Sequence, residues 1–211
     1  MILARFRCRG ITPIFIGNAE PNDVEIRPAS ITGLMRFWWR AMNARLAAKS
    51  LQKLQEAEEK IFGGVLSGGR RSSFNCWIED VDGDIKDAGR LLGAHNFNIY
   101  NGGGYLFYIL INQNKDQKGY APGLEFELVF TSESEKYFRQ AIASFWLAVN
   151  LGGFGTRSRR GGGAIQSELA ELEGIDNLGI DFNITYVNDH EKGTRNDHEN
   201  GTTVKVKKSV L

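Results

Sequence analysis

Residue patterning along the chain predicts an α+β fold on a βαββαβ plan with inserted strands. Three observations carry that expectation. Residues 1–16 (MILARFRCRGITPIFI) alternate through apolar Ile2, Ala4, Phe6 and Cys8, the period of a half-buried strand. Residues 31–54 and 135–151 repeat apolar side chains at helical spacing. The remaining strand-like runs fall between and after those two helices.

Taken in order, the first strand puts Leu3, Arg5, Arg7 and Arg9 on the face opposite its apolar residues, a largely basic face open to solvent or an acidic ligand. Residues 17–28 form a loop by composition. Ser30, just after Pro28, reads as the N-cap of the first helix. Ile31, Leu34, Met35, Trp38, Met42 and Leu46 form its buried stripe, with Trp38 as core and Trp39 open to either role. Residues 72–79 (SSFNCWIE) and 124–131 (LEFELVFT) read as strands, and the continuous apolar run 105–112 (YLFYILIN) reads as a central one. The second helix follows. Residues 164–172 form a short strand or helical turn, and residues 180–187 another strand. With both helices on one sheet face, this order is the ferredoxin-like (RRM-like) plan. The domain spans residues 1–187. Residues 188–211 form a polar tail built on a tandem repeat, NDHEKGTR then NDHENGTT, expected as a loop or hairpin without a metal.

Composition narrows the function. The chain has 211 residues, 42% of them hydrophobic, enough for a proper core. A net charge of +1 excludes a bulk polycation. The charge is uneven, however: residues 1–50 carry eight basic and three acidic side chains, while acid gathers at Glu168, Glu171, Glu173, Asp176 and Asp181. Such a local basic surface suits a specific polyanion. Cys8 and Cys76 have no metal-ligand spacing and read as reduced thiols, and no apolar run is long enough to span a bilayer. A cytoplasmic protein without a cofactor is expected.

The densest chemical signal is residues 152–163, GGFGTRSRRGGG, six glycines and three arginines with no acid. Gly152 and Gly153 are expected to end the second helix in the left-handed conformation. The loop's bare backbone suits close approach to a ligand, with N–H groups facing an anion. Arg157, Arg159 and Arg160 add forked donors matched to phosphate.

The spacing Gly153-Phe154-Gly155, five residues, then Gly161-Gly162-Gly163 resembles the glycine-rich signature of the RAMP superfamily, proteins of CRISPR effector complexes. Residues 11–46 (ITPIFIGNAEPNDVEIRPASITGLMRFWWRAMNARL) are similar to the opening of the family of first subunits of the Cmr, type III-B, complex, and so are Ile61-Phe62-Gly63-Gly64 and Arg71-Ser72-Ser73. Two features depart from that family. Thr32 stands where members usually carry a lysine, and members are commonly longer, with a second RAMP-like domain.

The resemblance implies a non-catalytic subunit that contacts CRISPR guide RNA and target RNA beside other Cmr/RAMP subunits. Gly153, Gly155, Gly161 and Gly163 would shape the loop, and Arg157, Arg159 and Arg160 would neutralise phosphates. Arg36, Arg40, Arg27 and Asn18 are further candidate contacts. The resemblance also implies that the open sheet face is where RNA-recognition modules meet nucleic acid. Two alternatives stand beside it. One is a RAMP-type endoribonuclease using Asp23, with His95 as the histidine outside the tail. The other is a structural subunit without RNA contact.

Overall fold

The computed structural model describes residues 1–17, 23–65, 68–93, 102–112 and 116–180. Strand β1 (Ile2–Gly10) buries alternate residues from Ile2 to Gly10, as its period requires. It lies between β5 (Glu125–Ser132) and β6 (Ile165–Glu173), and β2 (Phe74–Asp82) pairs with the far edge of β5. Every pairing is antiparallel, in the order β2-β5-β1-β6. That order, with both main helices on one face, is the ferredoxin-like arrangement. Helices α1 (Pro28–Met42) and α7 (Glu135–Asn150) pack against each other over the sheet. Phe6 and Phe130 of the sheet meet Phe145 of α7 at ring separations of 5.1 to 6.0 Å.

Several expectations are corrected. The first helix begins at Pro28, with Arg27 at its cap, and Ser30 lies inside the first turn. Proline at the first helical position loses no hydrogen bond and presets φ, so it starts the helix earlier than serine would. The helical region is not continuous to residue 54. It breaks at Asn43, whose side-chain amide donates to the Trp39 carbonyl at 2.8 Å. It breaks again at Ser50, which is extended and caps the next helix by accepting from the Lys53 N–H. The result is α1, α2 (Ala44–Lys49) and α3 (Leu51–Phe62). The buried stripe changes in part: Trp39 is fully buried, Trp38 is half-buried and packs against the same core as expected, and Met42 is exposed.

Residues 105–112 do not form a central strand. They lie in two short helices, α5 (Gly102–Leu106) and α6 (Tyr108–Asn112). Phe107 and Leu110, three apart, are buried while Tyr105, Leu106, Tyr108 and Ile109 are exposed. Helical spacing thus sorts a run that hydropathy alone cannot distinguish from a strand. The insertion also holds β3 (Ile85–Asp87), α4 (Ala88–Gly93) and β4 (Lys118–Tyr120). Its own small core is Phe15, Ala88, Leu91, Leu92, Phe107 and Leu110. Residues 164–172 resolve as strand β6 rather than a helical turn. The expected strand at 180–187, the repeat tail, Asn18 and His95 lie outside the described residues, Ile180 excepted.

Candidate nucleic-acid interface

Two surfaces compete for the role, and the first is the open face of the sheet. Cross-strand register sets Arg7 directly between Glu127 and Glu168, and Arg9 beside Glu125. Arg5 donates to Glu79, to Glu127 at 2.7 Å and to Glu171 at 3.0 Å. These bonds push its pKa further above the ordinary arginine range. The Glu79 carboxyl is held below its ordinary value by the Trp77 indole N–H and then by Arg5. The expected basic face is therefore neutralised from within. Opposite charges in adjacent strands pair across the pleat, so the arginines of β1 meet glutamates that sequence order places far away.

Arg36 and Arg40 behave alike. Both reach the buried carboxylate of Glu58 on α3, Arg36 at 3.0 Å and Arg40 at 2.6 and 2.8 Å. Arg36 also donates to the carbonyls of Phe62 and Gly63 and lies 5.3 Å from the Phe62 ring centre. Burial raises the Glu58 pKa, but the bonds from Arg40 and Arg36 outweigh it and hold the carboxyl below its ordinary value. The two arginines sit in a cleft against α3, away from the glycine-rich loop.

The second surface is a groove of about 620 Å³ between α1 and that loop. The loop is strapped to the segment after β1. The Thr156 N–H donates to the Phe15 carbonyl at 2.8 Å, Gly163 N–H to Pro13 at 2.9 Å, and Ala164 N–H to Thr12 Oγ1 at 2.9 Å. Within the loop, Phe154 N–H donates to Gly163 and Gly162 N–H to Arg157. Several amides are thus used by the fold, so the cradle of N–H groups is narrower than the sequence implied.

The glycines do separate jobs. Gly155, Gly161 and Gly163 have positive φ, and a Cβ at Gly155 or Gly163 would collide with the carbonyl of Phe15 or Phe154. Gly152 and Gly153 are not left-handed, and the helix ends at Leu151 with φ −117°. Gly152 is required by contact instead. A Cβ there would lie 2.6 Å from the Ala148 carbonyl and 2.8 Å from Trp38 Nε1. Arg157 itself is left-handed, φ 66°, and opens the 3-10 turn Ser158–Arg160 that carries the Arg159 backbone.

The positive charge beside this groove is of a different kind. Among the described residues no carboxylate pairs with Arg157, half-buried, or Arg160, exposed. The N-terminus of α1 reaches the groove through Ser30, has no side-chain cap and has no acid in its first turn. Its dipole therefore adds uncompensated positive potential. Arg27 caps that helix end and has its Nε buried without a hydrogen-bond partner. Asp23, exposed, accepts from the Val24 N–H at 2.9 Å. Among the described residues no His, Cys, Asp and Glu cluster suits a metal, and no helix is long and apolar enough to cross a membrane. Both cysteines are free thiols, with burial pushing Cys76 up to about 12 and Cys8 up as well.

An antiparallel sheet in this order, with a glycine-rich loop strapped beside the first helix, defines a class. The family model of the RAMP superfamily matches residues 7–166, and the chain belongs to that superfamily. Among its relatives, CRISPR system Cmr subunit Cmr1-2 of Pyrococcus furiosus is 31% identical over 182 residues, 80% of this chain and 97% of that protein. Cmr subunit Cmr1-1 of the same organism is 33% identical over 184 residues, 85% of this chain and 52% of that one. The crystal structure of apo Cmr1 from Pyrococcus furiosus superposes with a TM-score of 0.61 at 27% identity, over 82% of this chain and 51% of that one. The chain thus spans about half the length of Cmr1-1 and of the crystallised Cmr1. A chain in a cryo-EM structure of type III-B Cmr-beta bound to cognate target RNA shares the fold, with a TM-score of 0.53 at 13% identity over 81% of this chain and 55% of that one.

Proposed function

We propose that the chain is a non-catalytic, RNA-binding subunit of a type III-B (Cmr) CRISPR effector complex, working in the cytoplasm in antiviral defence. It contacts guide or target RNA through the groove beside the glycine-rich loop and packs beside other Cmr/RAMP subunits. One observation carries the reading: Arg157 and Arg160 stand on a strapped, side-chain-poor loop that walls the groove reached by the uncapped N-terminus of α1, with no described carboxylate to neutralise them. Kinship with Cmr1-2 over nearly its whole length supports the placement in a Cmr complex. Phosphate contacts of this kind position a strand without reading its sequence. The endoribonuclease alternative has thinner support, because general acid–base work on a phosphodiester needs a positioned pair beside Asp23.

The test is RNA binding by the full chain across a salt series. Replacing Arg157 and Arg160 together by Ala is expected to weaken binding of single-stranded RNA and to flatten the log K against log salt slope by about 1.4, or 0.7 per phosphate. An unchanged slope removes the loop from the RNA interface.

A further inference from the structure

Helix α1 is apolar beyond what the core takes in. Ile31, Met35 and Trp39 are buried under the sheet, and Leu34 and Trp38 pack half-buried against the same core. Ser30, Gly33, Leu34, Phe37 and Trp38, at steps of three and four, also wall the groove. Phe37 is 51% exposed. Its ring meets Trp38 edge to face, 5.5 Å between centres at 86°, a contact that occupies a face of one ring only. The facing wall is the glycine-rich loop, where Gly152, Gly153 and Gly155 stand among Phe154, Thr156 and Ser158. Below Phe37 by one turn, a Cβ on Gly33 would meet nothing within 4 Å. The volume, about 620 Å³, is that of a small-ligand cleft rather than a broad docking surface.

We propose that Phe37 is a stacking platform for one base of a single-stranded RNA whose phosphates lie on the glycine-rich loop. This rests on the function proposed above and deepens it. Solitary exposed phenylalanines are ordinary on protein surfaces, but this one stands in a cleft lined by Thr156 and Ser158, the residues on either side of Arg157, and by Ser30 in the first turn of α1. An aromatic face beside a cationic track is the combination that holds single strands, because every base offers a π-face. A purely apolar protein side chain would gain nothing from the cationic loop beside the cleft, so charge favours the nucleic acid. Stacking holds no counterion. Phe37 therefore contributes affinity that salt does not screen, whereas the arginines contribute affinity that it does.

The experiment is a salt series with the full chain and short oligo(A) and oligo(U) RNAs. Phe37→Ala is expected to weaken oligo(A) binding about tenfold, within the span of one stacked base, with the salt slope unchanged. Phe37→Leu, which keeps apolar bulk without the ring, is expected to lose as much, and Phe37→Trp to restore or tighten binding. The preference for oligo(A) over oligo(U) should shrink in both ring-less variants, because purines stack over more area. A thermal melt checks that this half-exposed position leaves the fold intact. If Phe37→Ala binds as the parent does while the Arg157/Arg160 variant still flattens the slope, the platform is wrong and the loop stands. If neither variant changes binding, both fall. If Phe37→Ala instead loosens association with a second copy or a neighbouring subunit at constant RNA affinity, the groove is a protein interface and the platform is again wrong.

Discussion

The open sheet face and the glycine-rich loop beside α1 both hold arginines, yet only one of them holds available positive charge. On the sheet, Arg5, Arg7 and Arg9 face Glu79, Glu125, Glu127, Glu168 and Glu171. Beside the groove, Arg157 and Arg160 stand on a loop without a single acid. A guanidinium that already has two carboxylates must lose them to accept a phosphate, whereas a solvated one only sheds water and counterions. Counting arginines therefore misjudges an RNA surface, and counting arginines left after intramolecular pairing does not.

The largest expected effect crosses the two regions. Arg157→Ala with Arg160→Ala should cut RNA affinity about 100-fold at low salt, at roughly 1.5 kcal/mol per charged hydrogen bond lost. Arg7→Ala with Arg9→Ala, the same change in net charge, should leave both affinity and salt slope where they were. Equal losses from the two pairs would abolish the distinction. Filter binding across a salt series measures both.

Next in size is the clamp that removes Arg36 and Arg40 from the groove. Glu58→Ala leaves two guanidinium groups without their shared buried carboxylate and should cost about 2 to 3 kcal/mol, read from urea unfolding. The pH dependence follows from the same group. Its folded pKa lies below the unfolded value, about 4.3, so the protonated form is bound more weakly by the native state. Its contribution is fully present above that value and is lost as pH falls through the lowered folded pKa. Glu58→Gln should therefore show a smaller fall in stability on acidification than the parent chain.

These contrasts also explain what the sequence could convey. The fold was legible because its signals are local and periodic: β1 alternates over nine residues, and α7 keeps its apolar stripe from Phe138 to Ala148. The loop was legible because glycine and arginine density needs no partner to be noticed. Arg36 and Arg40 were misleading because their partner lies 22 and 18 residues away on a separate helix. Arg5 misled more, because its carboxylates come from three other strands. Phe37 escaped notice because α1 is apolar around much of its circumference. Spacing alone cannot say which stripe meets the core, although the unbroken run Phe37-Trp38-Trp39 exceeds what one stripe can bury. The inserted helices read as a strand in the sequence for want of polar residues to reveal the period.

A smaller effect sharpens the comparison from the sheet side. Arg5→Leu should lower stability by about 1 kcal/mol, since its partners are partly exposed and can rehydrate. It should leave RNA binding unchanged. A measurable loss of affinity would mean that the ion cluster opens to admit phosphate, and the sheet face would then rejoin the interface.

The smallest effect is at Gly33. Glycine inside an exposed helix face costs up to about 1 kcal/mol relative to alanine, and nothing in the fold lies where its side chain would go. Packing therefore gives no reason for glycine at this position, while a ligand approaching the groove wall does. Gly33→Ala should raise the melting temperature slightly and weaken RNA binding modestly, with the salt slope intact because no charge is touched. Gly33→Leu, which projects further into the same space, should weaken binding more at a similar melting temperature. A rise in stability with affinity unchanged in both variants would show that the strand does not lie against α1, and would confine the contact to the rim formed by Arg157 and Arg160.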